Sequence, residues 1–175
     1  APDNTYQIAV DGGQVAATNL AVNASGYTFS GSPIYLNNSS VRMLAVSNGV
    51  SVTFSNNLTG NNGNAEIQLG DNGPAATMVV YGTMTGWQPQ FSSTNGSVVY
   101  LAGSGTSSAG TTHVNADVRM TNGTFNSGGA FVIGRVRGTG GSWQPNNSTG
   151  KFTLDGPTTV FNQNSDFISI GRDSV

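Results

Sequence analysis

The chain has 175 residues, 36% of them apolar and only 8% charged, with 25 glycines and a formal net charge of −2, so it is long enough to bury a core but takes its polarity from Asn, Ser, Thr and Gly. Six Lys and Arg side chains are too few to neutralise a phosphate backbone, which argues against nucleic acid as a partner, and no run approaches the ~18 apolar residues of a spanning helix. The absence of cysteine removes disulfides and thiolate metal sites together, and decides nothing about compartment.

The first strand is expected over Thr5 to Val10, with Ile8 and Val10 on one face and a turn at Asp11-Gly12. Such dipeptides favour positive φ and mark corners. From Leu20 to Leu36 apolar residues alternate with small polar ones (Leu20, Val22; Tyr27, Phe29; Ile34, Leu36), and each short run is closed by Asn, Ser, Gly or Pro. A period of two is the signature of a half-buried strand. The pair of alternating apolar residues followed by Asp-Gly or Asn-Gly returns after Leu44 and Val46, after Val118 and Met120, and after Phe152 and Leu154. A related form runs through Ile67, Leu69 and Asp71-Asn72-Gly73. No segment shows apolar spacing of helical period free of Gly, Asn or Pro, so helix content near zero is expected.

Longer repeats are superimposed. Trp87-Gln88-Pro89 recurs as Trp143-Gln144-Pro145, each followed by an Asn- and Ser-rich loop and a strand, Ser97 to Leu101 and Lys151 to Leu154. Ile133-Gly134-Arg135 recurs as Ile170-Gly171-Arg172. The stretch LAVNASGYTFSGSPIYL, its continuation VRMLAVSNGVSVTFSNNLT from Val41 to Thr59, and the late phrases FVIGRVRGTGGSW and FISIGRDSV resemble the β-strand repeats of autotransporter passenger regions and related bacterial surface proteins. The resemblance, over 20–59 and 118–175, implies an extracellular or cell-surface location and a single repetitive segment spanning 1–175. The chain ends where the next repeat would begin, so a piece of a longer protein is expected.

Two all-β architectures fit these strands. In a right-handed parallel β-solenoid (a β-helix) each coil stacks on the last, and coils of ~20 to 25 residues give roughly seven or eight of them. In a β-sandwich the strands pair antiparallel through hairpins. Repeated phrases separated by unequal periods, together with the resemblance, favour the solenoid, whose corners accept insertions. Its open ends would need a cap, a partner or end-to-end self-association.

Candidate chemistry is sparse. The carboxylates Asp3, Asp11, Glu66, Asp71, Asp117, Asp155, Asp166 and Asp173 fall singly and mostly in corners, where Asp caps backbone N–H groups, or near Arg119 and Arg172 as surface ion pairs. A polysaccharide hydrolase needs two carboxylates facing one bond, and a lyase needs a base beside cations or Ca²⁺. His113 is the single histidine and has no second ligand for a metal; Gly70-Asp71-Asn72-Gly73 lacks the spacing of a calcium loop. No catalytic residue, metal or cofactor is therefore assigned. Trp87 and Trp143 are the binding candidates, because an indole exposed in a corner can stack on a sugar ring; the competing reading packs each over the interior. The many Asn-X-Ser/Thr triplets receive no role in a chain of bacterial resemblance. The reading is a secreted or surface structural or adhesive scaffold segment, a stalk, adhesin passenger or fibre unit, with a surface glycan or protein receptor as partner. Its rivals are a carbohydrate-active β-helix enzyme and a glycan-binding β-sandwich.

Overall fold

The computed structural model describes all residues except 1–5, 37–41, 61–63, 71, 104, 108–110, 138–142, 146–149, 165 and 171–175. The described residues form strands and corners, with no helix. In chain order the strands fall into triplets: β1 (Tyr6–Val10), β2 (Val15–Ala17) and β3 (Leu20–Val22), then β4 (Tyr27–Gly31), β5 (Ile34–Leu36) and β6 (Arg42–Val46), then β7 (Ser51–Phe54), β8 (Leu58–Gly60) and β9 (Asn64–Leu69). The fourth group is β10 (Thr77–Val80) and one long strand, β11 (Met84–Ser92). Next come β12 (Val98–Leu101), β13 (Gly105–Ser107) and β14 (Thr112–Asn115), and β15 (Asp117–Met120), β16 (Thr124–Ser127) and β17 (Phe131–Ile133). A hairpin of β18 (Arg135–Arg137) and β19 (Trp143–Pro145) precedes the last triplet, β20 (Lys151–Leu154), β21 (Val160–Gln163) and β22 (Ile168–Ile170).

Each strand pairs in parallel with its counterpart in the next triplet. Three ladders result: β1-β4-β7-β10-β12-β15-β20, β2-β5-β8-β11-β13-β16-β21 and β3-β6-β9-β11-β14-β17-β22. We call them the first, second and third ladders. β11 serves two of them, its start pairing with β8 and β13 and its end with β9 and β14. Antiparallel pairing, which a sandwich built from hairpins requires, occurs among the described residues only between β18 and β19. The phrase 20–36 lies on its continuation 41–59 rung by rung: Leu20 pairs Leu44, Tyr27 pairs Val52 and Ile34 pairs Leu58. The sequence repeat is therefore a spatial one.

The corners follow from backbone chemistry. Gly12, Gly49 and Gly123 in the Asp-Gly and Asn-Gly pairs take φ of 82°, 70° and 84°, the left-handed region that a side chain resists. At the turn after β10 the demand is steric, since a Cβ on Gly82 would fall on the Asn56 carbonyl of the rung below.

Alternate residues of every ladder point into one apolar interior. On the first ladder Phe29 stacks on its rung partner Phe54 at 4.9 Å between ring centroids, and Val80, Leu101 and Met120 continue the column. Near the other end Phe125, Phe131, Phe152 and Phe161 pack as a cluster with centroids 4.7 to 6.3 Å apart. Such aromatic pairs add ~0.5–1.5 kcal/mol each to what their buried area contributes. Outward rows carry polar ladders, of which Asn162 donating Nδ2–H to Asn126 Oδ1 at 2.9 Å is one rung.

The hairpin is the main departure from this regularity. It lengthens the step between β15 and β20, where Asp117 pairs Lys151, well beyond the step between β12 and β15, where Val98 pairs Asp117. β18 lies against β14, and β14 is buried on both faces: Thr112 and Val114 point inward, while the outward-facing His113 and Asn115 are covered as well.

Candidate functional site

The outer face of the third ladder gathers polar side chains that sequence order keeps apart. Glu66, Gln90 and His113 occupy successive rungs of one outward row, and Gln68, Ser92 and Asn115 the next. β9, β11 and β14 position them, and strand alternation turns them away from Ile67, Phe91 and Val114 in the interior. Ser92 donates its hydroxyl to Glu66 Oε1 at 2.9 Å. Glu66 is the one carboxylate among the described side chains of this face. The row is built to give and accept hydrogen bonds, and it offers no paired carboxylates for acid and base roles. Reading the chain residue by residue misses this set; its signal is the rung spacing that carries Glu66 to Gln90 and on to His113.

A second polar group lies on the outer face of the first ladder. Arg119 donates to Asp117 through Nη2 at 2.7 Å and through Nε at 3.1 Å, and its guanidinium carbon sits 5.9 Å from the centre of the Tyr100 ring on the neighbouring rung. The hydrogen bond to Asp117 and then the Asp117 charge raise the Arg119 pKa above its ordinary value. Asp155 lies four residues along the chain from Lys151, which is the rung partner of Asp117. At a strand rise of ~3.3 Å per residue the two backbone positions stand roughly 13 Å apart along the strand direction. The expected pairing of Asp117 with an arginine is present; Asp3, Asp71, Asp173 and Arg172 lie outside the described residues.

Ser93, Asn95 and Ser97 form a third group, enclosed in the corner before β12. Ser97 is fully buried; its Oγ accepts from the Ala76 N–H at 2.8 Å and donates to Asn95 Oδ1. Asn95 Nδ2 in turn donates to the carbonyls of Gly73 and Pro74, both at 3.0 Å. The Gly73 carbonyl thus faces an amide donor. Among the described residues no group of three His, Cys, Asp or Glu side chains is placed to hold a metal ion.

The two tryptophans of the Trp-Gln-Pro phrases have different surroundings. Trp87 is 1% exposed and packs in the interior above Gly60, where a Cβ would stand 3.0 Å from its Cγ. Its ring is enclosed and offers no face to a sugar in this structure. The reason is a bulge in β11: Gly86 takes φ 78° between Met84 and Trp87, and turns the indole inward. Trp143 is in β19, its backbone in register with Arg137 of β18; its side chain lies outside the described residues.

Among the described residues no helix is long and apolar enough to cross a membrane. Comparison with family models, with curated proteins and with solved structures found no match to the chain. A functional reading rests on the residues and their geometry.

Proposed function

We propose that the chain is a segment of right-handed parallel β-solenoid that works as a structural or adhesive scaffold at a bacterial cell surface, similar to an autotransporter passenger segment, with no catalytic role. The observation that carries this reading is the set of three parallel ladders of seven strands each, met in the same order in every triplet, around one apolar interior. Such stacking gives stiffness from backbone pairing repeated at ~4.8 Å, and leaves the outer rows free to vary. Placement of the polar groups on separate faces fits a scaffold better than a cleft enzyme. Low charge and abundant Asn, Ser and Thr suit a surface whose rows hydrogen-bond along their own ladders.

Spin labels test the architecture. Thr28, Thr53 and Thr153 share one outward row, five and four rungs apart in the two pairs that include Thr153. Label separations near ~24 Å and ~19 Å are expected for Thr28/Thr153 and Thr53/Thr153 after cysteine substitution; equal separations, or the reverse order, would remove the solenoid. For location, antibody raised to the chain should label intact cells of the source organism. Labelling only after lysis defeats the surface reading.

A second reading, glycan recognition, is favoured at one place: the inserted hairpin sets Trp143 outside the three ladders and in register with Arg137. Binding of acidic oligosaccharides that is lost in Trp143→Ala and kept in Trp87→Phe would support it. Equal binding by wild type and Trp143→Ala would end it.

A further inference from the structure

Tyr81 is 60% exposed, and among the described residues it is the one exposed large apolar side chain outside the first and last triplets. It sits in the middle of the stack, on a face that runs along the ladders, so further coils at either end would lengthen this face and not cover it. The backbone N–H groups of Ser55, Tyr81, Ala102, Thr121 and Asp155 each donate to the rung before, which sets these residues in one row on successive rungs of the first ladder. Ser55 and Ala102, on the rungs beside Tyr81, carry too little side chain to cover a phenol ring. Tyr100 and Arg119 stand two residues back along their strands, on the rungs of Ala102 and Thr121. We infer that this face binds a neutral oligosaccharide, with a pyranose ring stacked on Tyr81 above Ala102 and its hydroxyls met by Arg119 and Asp155; the inference rests on the adhesive reading above and gives it a contact site other than Trp143.

The row forms a shelf with the parts that sugar recognition needs. Ala102 and Thr121 make its floor, with Tyr81 at one end and Asp155 at the other, three rungs or ~14 Å apart. Gly82 and Gly103 follow Tyr81 and Ala102 in the chain, so the corner side is open there. An aromatic ring offers a flat face to the C–H groups of a pyranose, and its hydroxyl adds a polar tip. Arg119 is held in place before any ligand arrives: Asp117 takes its Nε and Nη2, Tyr100 lies 5.9 Å from its guanidinium carbon, and neither hydrogen bond uses Nη1. Fixing a long side chain in advance lowers the entropy lost on binding. The exposed Asp155 carboxylate supplies acceptors. Arg119 and Lys151 are matched by Asp117 and Asp155, so the face favours neither sign of charge, while its donors and acceptors suit hydroxyl groups. A protein partner fits less well. Seven rungs about five residues wide offer on the order of 500 Å², short of the ~800 Å² per partner of a standard protein interface.

The test is titration calorimetry on the 175-residue chain with uncharged probes, cellohexaose, xylohexaose, mannohexaose and maltohexaose, and one acidic probe, hexagalacturonate. At least one uncharged probe is expected to bind, with an affinity that added salt leaves unchanged. Tyr81→Ala should weaken that binding about ten-fold or more, and Tyr81→Phe by less than about three-fold, because the ring remains. Arg119→Gln should weaken it about ten-fold, while Trp143→Ala binds as wild type does. Unchanged far-ultraviolet dichroism and melting temperature show that the variants fold. Failure of all the uncharged probes to bind overturns the inference, as does a preference for hexagalacturonate. Equal binding by wild type and Tyr81→Ala overturns it too, and so does loss in Trp143→Ala with Tyr81→Ala unaffected. The spin-label distances and the antibody labelling report on the scaffold and its location without any ligand, so the inference can fail while that reading stands.

Discussion

Met120 and Leu154 stand on adjacent rungs of one column, as do Ile133 and Ile170 on another, yet their fates differ. Met120 is fully buried and Leu154 is half exposed; Val114, one rung below Ile133, is fully buried and Ile170 is three-quarters exposed. Their local sequences follow the same alternation. What the middle triplets have, and the last lacks among the described residues, is a neighbour on both sides. Burial in this molecule is conferred by the next rung, so the energetic weight of a residue depends on its place in the stack more than on its type.

Substitutions can break or sharpen that contrast. The largest effect is expected at the aromatic cluster: Phe125→Ala, at a site 1% exposed between Phe131 and Phe161, should cost ~3–5 kcal/mol in urea unfolding. Leu154→Ala deletes a side chain of similar chemistry at the open edge and should cost a small fraction of that; equal losses would show that the edge is covered in solution. Gly82→Ala comes next, at ~1–3 kcal/mol or more, because the added methyl meets backbone of the rung below and neither chain can move without breaking a ladder. Ser97→Ala should cost ~1–3 kcal/mol by leaving the buried Ala76 N–H without its acceptor. A thermal melt that does not change would show that the corner network rearranges.

The smallest effect is expected from the partly exposed Asp117–Arg119 pair. Asp117→Asn removes an ion pair whose side chains are 34% and 19% exposed, and the melting temperature should barely shift. The raised Arg119 pKa gives a clear sign for its pH dependence. Stability linked to a raised pKa is fully present below the unfolded value and is lost only as pH rises through the folded one, here above the ordinary arginine value. Arg119 therefore contributes no pH dependence near neutrality, and wild-type and Arg119→Gln melting curves measured across the neutral range should run parallel.

The candidate sites were unevenly legible. Ile133-Gly134-Arg135 and Ile170-Gly171-Arg172 point to a true structural repeat, since Ile133 and Ile170 are rung partners. Trp87-Gln88-Pro89 and Trp143-Gln144-Pro145 look just as similar in sequence, and are not stacked at all: one is in a parallel strand lining the interior, the other in an antiparallel insert. The alternating pairs that end in Asp-Gly or Asn-Gly also divide. Those at Val10, Met120 and Leu154 lie on the first ladder, and those at Val46 and Leu69 on the third. A corner dipeptide says that the chain turns; it does not say which of three corners this is.

By itself the sequence determined the strands, their inward faces and the absence of helix among the described residues, because alternation and glycine act over a few residues and need no distant partner. Only the tertiary structure decided that β11 runs unbroken through two ladders, that Trp87 turns inward over Gly60, that β18 of the hairpin lies against β14, and that Glu66, Gln90 and His113 share a row. Each of these depends on what lies one rung away, at a separation in sequence that inserted residues change from one triplet to the next.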